Sequence, residues 1–199
     1  MAGRLQDRVA LVKGAGQGIG RAIAQALAAE GAQLVVVDLN EAAAAATVQS
    51  LAGGGLAMSC NVADSANVAD LFQRIEDEYG RLDILVNNAG IGGGRAVEET
   101  PLEEVREVFE TNYFGTVRML LAITPIMREQ RSGRIVNMSS LAGRMVFGCH
   151  GHYSAAKWAL EGLSEALAFE MAEFGVRVAL IEPGSVPTPA WEKGTPPPP

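Results

Sequence analysis

The chain has 199 residues, 48% of them hydrophobic and 20% charged, which is enough for one well-buried domain. A formal net charge of -7 argues against a nucleic-acid partner, and two cysteines, Cys60 and Cys149, form no disulfide framework and suit a reducing cytosol. No run reaches the ~18 apolar residues that a membrane helix needs, and MAGRLQDRVALV lacks a long apolar stretch after its first charge, so neither a membrane span nor a signal peptide is expected.

Short β-branched runs alternate with helical patterns along the chain. The runs are RVALV (8–12), QLVVVD (33–38), LAMSC (56–60), LDILVNN (82–88), RIVNMS (134–139) and RVALIE (177–182). Most are nearly all apolar and lack a period of two, as in parallel strands covered on both faces. The first helix carries Ile23, Ala26, Leu27 and Glu30 and ends at Gly31. An alanine-rich helix follows over 41–51. Asp64 caps a third, with Val68, Leu71, Phe72 and Ile75 on one face. TPLE (100–103) reads as a capping box opening a long helical region to about Gln130, which Pro125 should kink or interrupt. The last helix, about 154–174, carries Leu160, Leu163, Leu167 and Met171. Strands alternating with helices predict one doubly wound, Rossmann-like α/β domain over 1–190 with right-handed crossovers.

LVKGAGQGIG (11–20) follows the first strand and opens the first helix. Gly14, Gly18 and Gly20 let backbone approach a pyrophosphate, which meets the helix N–H groups and the positive end of the dipole. The competing reading is a plain tight turn. The second strand ends in Asp38, 18 residues after Gly20, where a carboxylate accepts both hydroxyls of an adenosine ribose or merely caps the next helix. A 2′-phosphate ~4 Å from it would cost on the order of 4 kcal/mol at an effective dielectric of ~20. No arginine follows at Leu39 or Asn40, so NAD is expected over NADP.

Tyr153 and Lys157 stand at i, i+4 and share a helix face. An ammonium near a phenol lowers its pKa, as a general acid/base for an alcohol requires. A bare Tyr-x-x-x-Lys is more often an ordinary surface pair. Here Ser140 stands 13 residues upstream, just past a strand, and NNAG (87–90) lies at another strand end. Singly, Ser140 could only cap, and Asn87 and Asn88 could only turn the chain. In parallel sheets ligands bind beyond the carboxyl ends of the strands, and these features share that edge.

With these residues in place the sequence resembles the short-chain dehydrogenase/reductase family, from about Arg8 to Trp191. The resemblance rests on GAGQGIG (14–20), Asp38, NNAG (87–90), Asn112 in FETNYFGTV, Ser140 in IVNMSS, YSAAK (153–157) and PGSVPT (183–188). It implies an NAD-dependent oxidoreductase that passes a hydride between an alcohol or ketone and the nicotinamide. By the same resemblance Tyr153 is the acid/base and Lys157 its tuner and ribose anchor. Ser140 bonds the reacting oxygen, and Asn112 supports a water-borne proton relay. The implied cofactor contacts are Gly14, Gln17, Gly18, Ile19, Gly20, Asp38, Leu39, Asn61, Val62, Asn88, Ala89, Gly90, Tyr153, Lys157, Pro183, Gly184, Val186 and Thr188. A homodimer or homotetramer built on the two longest helices, and a cytoplasmic location, are implied as well.

Two positions depart from that pattern. Lys13 stands where the family usually has Thr, and a lysine cannot accept a hydrogen bond. It either reaches a phosphate or loosens the loop, the structural effect being the expectation. Asn61 stands where Asp is common. His150 and His152 have no third ligand at metal spacing, so no metal is expected. Trp158 and Trp191 read as packing residues. The chain stops soon after Thr188, and 191–199 reads as a proline-rich start of a truncated lid, with the family's seventh strand absent and 177–182 left as an edge strand. The alternative to an enzyme is a truncated or non-catalytic nucleotide-binding module. The substrate is not legible beyond an alcohol or ketone, although Gly92 to Gly94 and Arg144 to Gly151 are expected to line its pocket.

Overall fold

The computed structural model describes residues 3–187, so Thr188, Trp191 and the proline-rich tail lie outside it. Six strands form one parallel sheet: β1 (Val9–Lys13), β2 (Gln33–Asp38), β3 (Leu56–Ser59), β4 (Ile84–Asn87), β5 (Gly133–Met138) and β6 (Val176–Ile181). Their order is β3-β2-β1-β4-β5-β6. The chain leaves β1 in one direction to build β2 and β3, then returns to place β4 on its other side. Register pairs Lys13 with both Val37 and Asn87, so β1 and β4 end together at the point where the winding reverses. In such sheets the diverging connections leave a crevice there.

Alternate side chains of β1 feed two cores. Val9 and Leu11 join α3 (Ser65–Tyr79), α5 (Gly115–Gln130) and α6 (Gly151–Ala172) through Val68, Leu71, Met119, Ile123 and Leu167. Ala10 and Val12 join α1 (Gly18–Ala29) and α2 (Glu41–Gln49) through Ala24 and Ala44. Burial on both faces is why β1, β2 and β4 show no period of two. The six strands and the main helices match the sequence reading to within a few residues. Asp64 caps α3 by accepting from Ala66 and Asn67 N–H, and Val68, Leu71, Phe72 and Ile75 are the buried face.

The TPLE capping box does not form. Thr100 is extended and its hydroxyl donates to Ala96 O at 2.8 Å, so it is turned back towards the preceding 3₁₀ turn and caps nothing. Pro101 takes the cap position of α4 (Leu102–Phe109). The long helical region is interrupted by a π-helical turn at Glu110–Phe114, between α4 and α5. Pro125 lies inside α5 without ending it. No helix among the described residues is long and apolar enough to cross a membrane.

Candidate active site

The glycine loop runs from the end of β1 into α1. Gly14 (φ 69°) and Gly18 (φ 55°) hold left-handed backbone that favours glycine. A Cβ at Gly20 would stand 2.1 Å from Gly14 O and 2.6 Å from Asn88 Nδ2. A third requirement, at Gly16, went unread in the sequence: a Cβ there would lie 2.7 Å from the Asp38 carboxyl. That carboxylate accepts from Gly16 N–H at 2.8 Å and from Asn40 N–H at 3.0 Å. Asp38 therefore sits against the loop at the end of β2. Asn40, not Asp38, caps α2 by accepting from Ala43 N–H.

Further groups fix the loop. Asn88 Nδ2 donates to Lys13 O and Gly14 O. Thr47 Oγ1 donates to Ala15 O at 2.9 Å, and Arg21 donates to Thr47 Oγ1 and Gly16 O. Arg21 and Thr47 were missed because neither belongs to a glycine pattern; a hydroxyl on the inner face of α2 was the available signal. Gln17 occupies the cap of α1 without a side-chain hydrogen bond, and the first turn holds no acidic residue. The N–H groups of Gly18, Ile19 and Gly20 thus open a helix end suited to an anion. A cradle with no room for a Cβ at Gly16 or Gly20, an uncapped helix start and a carboxylate beside it fit a dinucleotide.

At the rim, Leu39 is exposed, and Val62 packs under Gly115. Asn61 Oδ1 accepts from Ala63 N–H at 3.0 Å. Ala89 N–H donates to Lys13 O, so the NNAG segment lies along the end of β1. Asn87 does not turn the chain. It is a buried strand residue whose Nδ2 donates to Asn137 Oδ1, while Asn137 Nδ2 donates to Ser164 Oγ; the ladder ties β4 and β5 to α6.

The second half of the site hangs from α6. Lys157 is buried and Nζ donates to Met138 O at 2.7 Å, at the end of β5. Burial lowers its pKa to about 8, with Glu161 pulling the other way. Its ammonium lies 5.7 Å from the centre of the Tyr153 ring. Burial raises the Tyr153 phenol above its ordinary value, and the Ser140 hydroxyl acts in the opposite direction. The net shift is opposite to the lowering expected from Lys157. Ser140 Oγ accepts from Ala142 N–H at 3.1 Å at the start of a 3₁₀ turn, Leu141–Gly143. Pro183 O accepts from Leu141 N–H, which brings Pro183 and Gly184 beside that turn; Val186 is exposed beyond them.

Asn112 sits in the π-turn, buried, with its amide paired reciprocally to Ile91: Nδ2 donates to Ile91 O and Oδ1 accepts from Ile91 N–H, both at 2.8 Å. A Cβ at Gly90 would stand 3.1 Å from Asn112 Oδ1 and 3.8 Å from Lys157 Nζ, so Gly90 leaves the gap between them. A recess beside Tyr153 is lined by Gly93, Arg95, Thr100, Val108, Cys149 and His152. This agrees in part with the expected lining. Arg95 was not singled out in the sequence, and Thr100 and Val108 were read there only as parts of a helix and its cap.

Lys13 neither reaches the phosphate cradle nor lies loose. It points from β1 towards α5, is 1% exposed, and Nζ donates to Thr116 Oγ1 at 3.4 Å. Burial lowers its pKa to about 7, and the Lys157 charge adds to that.

Residues 8–197 match the family model for short chain dehydrogenase. The chain belongs to the short-chain dehydrogenase family. It is 38% identical over 183 residues to the 3-oxoacyl-acyl-carrier-protein reductase of Escherichia coli, covering 92% of this chain and 75% of that one. It is 41% identical over 188 residues to the D-threitol dehydrogenase of Mycolicibacterium smegmatis, covering 93% and 72%. A short chain dehydrogenase/reductase from Burkholderia phymatum, solved in complex with NAD, superposes with a TM-score of 0.90 at 34% identity, covering 94% of this chain and 69% of that one. This short-chain dehydrogenase is thus an oxidoreductase with a Rossmann-like nucleotide-binding fold. None of these likenesses favours a non-catalytic module.

Proposed function

We propose that this short-chain dehydrogenase uses NAD and interconverts a secondary alcohol and its ketone, with Tyr153 as the acid/base. The observation that carries the cofactor choice is Asp38, whose carboxylate stands against Gly16 N–H where the loop turns into α1. A 2′-phosphate beside it would meet like charge. Arg21, the cation of that corner, is already engaged by Thr47 and Gly16 O.

The proposed holders of the dinucleotide are the N–H groups of Gly18 to Gly20, Asp38 with Leu39, Asn61 and Val62 on the adenosine side, Asn88 to Gly90 just past β4, and Pro183, Gly184 and Val186 at the nicotinamide end. When bound, the cofactor supplies the hydride acceptor or donor. Tyr153 takes the alcohol proton on its phenol oxygen, or returns it to the ketone. Ser140 hydrogen-bonds the same substrate oxygen and limits its rotation. Lys157, held on Met138 O, keeps positive charge on the Tyr153 side of α6, where it anchors the nicotinamide ribose. Asn112 fixes the Ile91 backbone beside the gap that Gly90 leaves towards Lys157, where a water would carry the Lys157 proton.

Titration with NADH and NADPH, and turnover on a panel of secondary alcohols and ketones, test both halves. Tighter NADH binding, with turnover lost in Tyr153→Phe while NADH binding persists, is the expected result. Preference for NADPH would overturn the role of Asp38. Equal turnover by Tyr153→Phe would overturn the acid/base assignment.

A further inference from the structure

Arg144 and Glu161 lie outside the motifs that carry the reaction, yet they join all three segments that do. Arg144 directly follows the 3₁₀ turn begun by Ser140, and its N–H donates to Leu141 O. Its guanidinium donates from Nε to Glu182 Oε1 at 3.0 Å, pairs with Glu161 Oε2 at 3.1 Å, and lies 3.8 Å from Glu165 Oε1. Glu182 immediately precedes Pro183. Glu161 is one helical turn past Lys157.

The burial of the two partners is unequal. The Arg144 side chain is half exposed, whereas Glu161 is buried and neither of its oxygens has an aligned hydrogen bond among the described residues. A Cβ at Gly143 would stand 3.0 Å from Glu161 Oε1, so the carboxylate lies directly under the Ser140 turn. A buried carboxylate without donors needs a cation, and among the described residues Arg144 is the one within ion-pair distance. We propose that Arg144 and Glu161 are a positioning pair that locks the Ser140 turn, the Tyr153–Lys157 face of α6 and the Pro183 segment together and sets the charge felt at the acid/base. This rests on the functional reading above.

The charged groups around the pair are Glu165 and Lys157 on α6 and Glu182 after β6, with Lys13 facing Lys157 from β1. Removing the Arg144 cation makes the site more negative and raises the pKa values of Tyr153 and Lys157; removing the Glu161 carboxylate lowers them.

The test is spectrophotometric titration of the phenol in wild type, Arg144→Gln, Arg144→Lys and Glu161→Gln. Each background carries a Tyr153→Phe partner that subtracts Tyr79 and Tyr113. Turnover is measured alongside. Opposite shifts in Arg144→Gln and Glu161→Gln, near-wild-type titration in Arg144→Lys, and a fall in kcat on the order of tenfold or more in Arg144→Gln support the pair. An unmoved phenol in both variants overturns it, even where kcat falls, because then the arginine only holds the fold. If Arg144→Gln does not fold, Glu161→Gln and the double variant decide by the same titration. If wild type turns nothing over, the functional reading fails, while the phenol titration still decides the pair.

Discussion

Lys13 and Lys157 are two buried lysines in two regions of one site, and their surroundings set them apart. Lys157 has a carbonyl acceptor 2.7 Å away and a carboxylate, Glu161, that supports its charge. Lys13, at the end of β1, has a hydroxyl at 3.4 Å, and the charge of Lys157 opposes its own. Burial lowers both, to about 8 and about 7, but only the first keeps most of its charge at neutral pH. Desolvation alone therefore does not make a lysine useful; the short acceptor and the nearby carboxylate do. The sharpest contrast comes from replacing each. Lys157→Met should cost turnover by on the order of 10²–10⁴, whereas Lys13→Met should retain it, as steady-state rates would show. A comparable loss in both would put Lys13 in the reaction and end the distinction.

The same strand shows what was legible in advance. RVALV at 8–12 and RVALIE at 177–182 are nearly one string, and both read as strands. Yet β1 is buried at every position while β6 alternates, with Ile181 46% exposed. Sheet order decides this, and order depends on where the chain returns after α3, which no local pattern encodes. The glycine loop, Asp38 and the Tyr153–Lys157 spacing were legible because each is a local requirement: a backbone too close for a Cβ, a strand end, a helix turn. Gly16, Arg21, Thr47 and the Arg144 cluster were not. Their roles arise from contacts between residues 17 to 38 positions apart, in segments whose meeting is a property of the fold. TPLE misled for the converse reason. Its spacing was right, but Thr100 had a nearer acceptor in Ala96 O.

That difference between a central and an edge strand also bears on why β1 tolerates a buried amine. Leu11, two residues before Lys13 and on the same face, is fully buried. Leu11→Ala should cost about 2–5 kcal/mol in denaturant unfolding. Ile181→Ala, exposed on β6, should stay within about 0.5 kcal/mol of wild type. Equal costs would mean that the packing around β1 yields as an edge does, and that Lys13 reaches water through it.

The smallest expected effect isolates Lys13 through its pH dependence. Its folded pKa, about 7, is below the ordinary 10.5, so between those values the unfolded chain binds a proton that the folded chain has released. Stability then rises with pH across that window. The destabilisation by Lys13 is at its full size below about pH 7 and fades as pH approaches the ordinary lysine value. Lys13→Met removes the ammonium and fills the same space with an apolar chain. Its Tm should exceed that of wild type most at about pH 6 and by a shrinking margin towards about pH 9. Lys157 titrates in both proteins, and only its mutual repulsion with Lys13, which acts in the same direction, remains in the difference. A margin independent of pH would mean that Lys13 keeps its proton in the folded chain. Thr116 Oγ1 would then hold a full ammonium beneath the glycine loop, and the contrast with Lys157 would reduce to geometry.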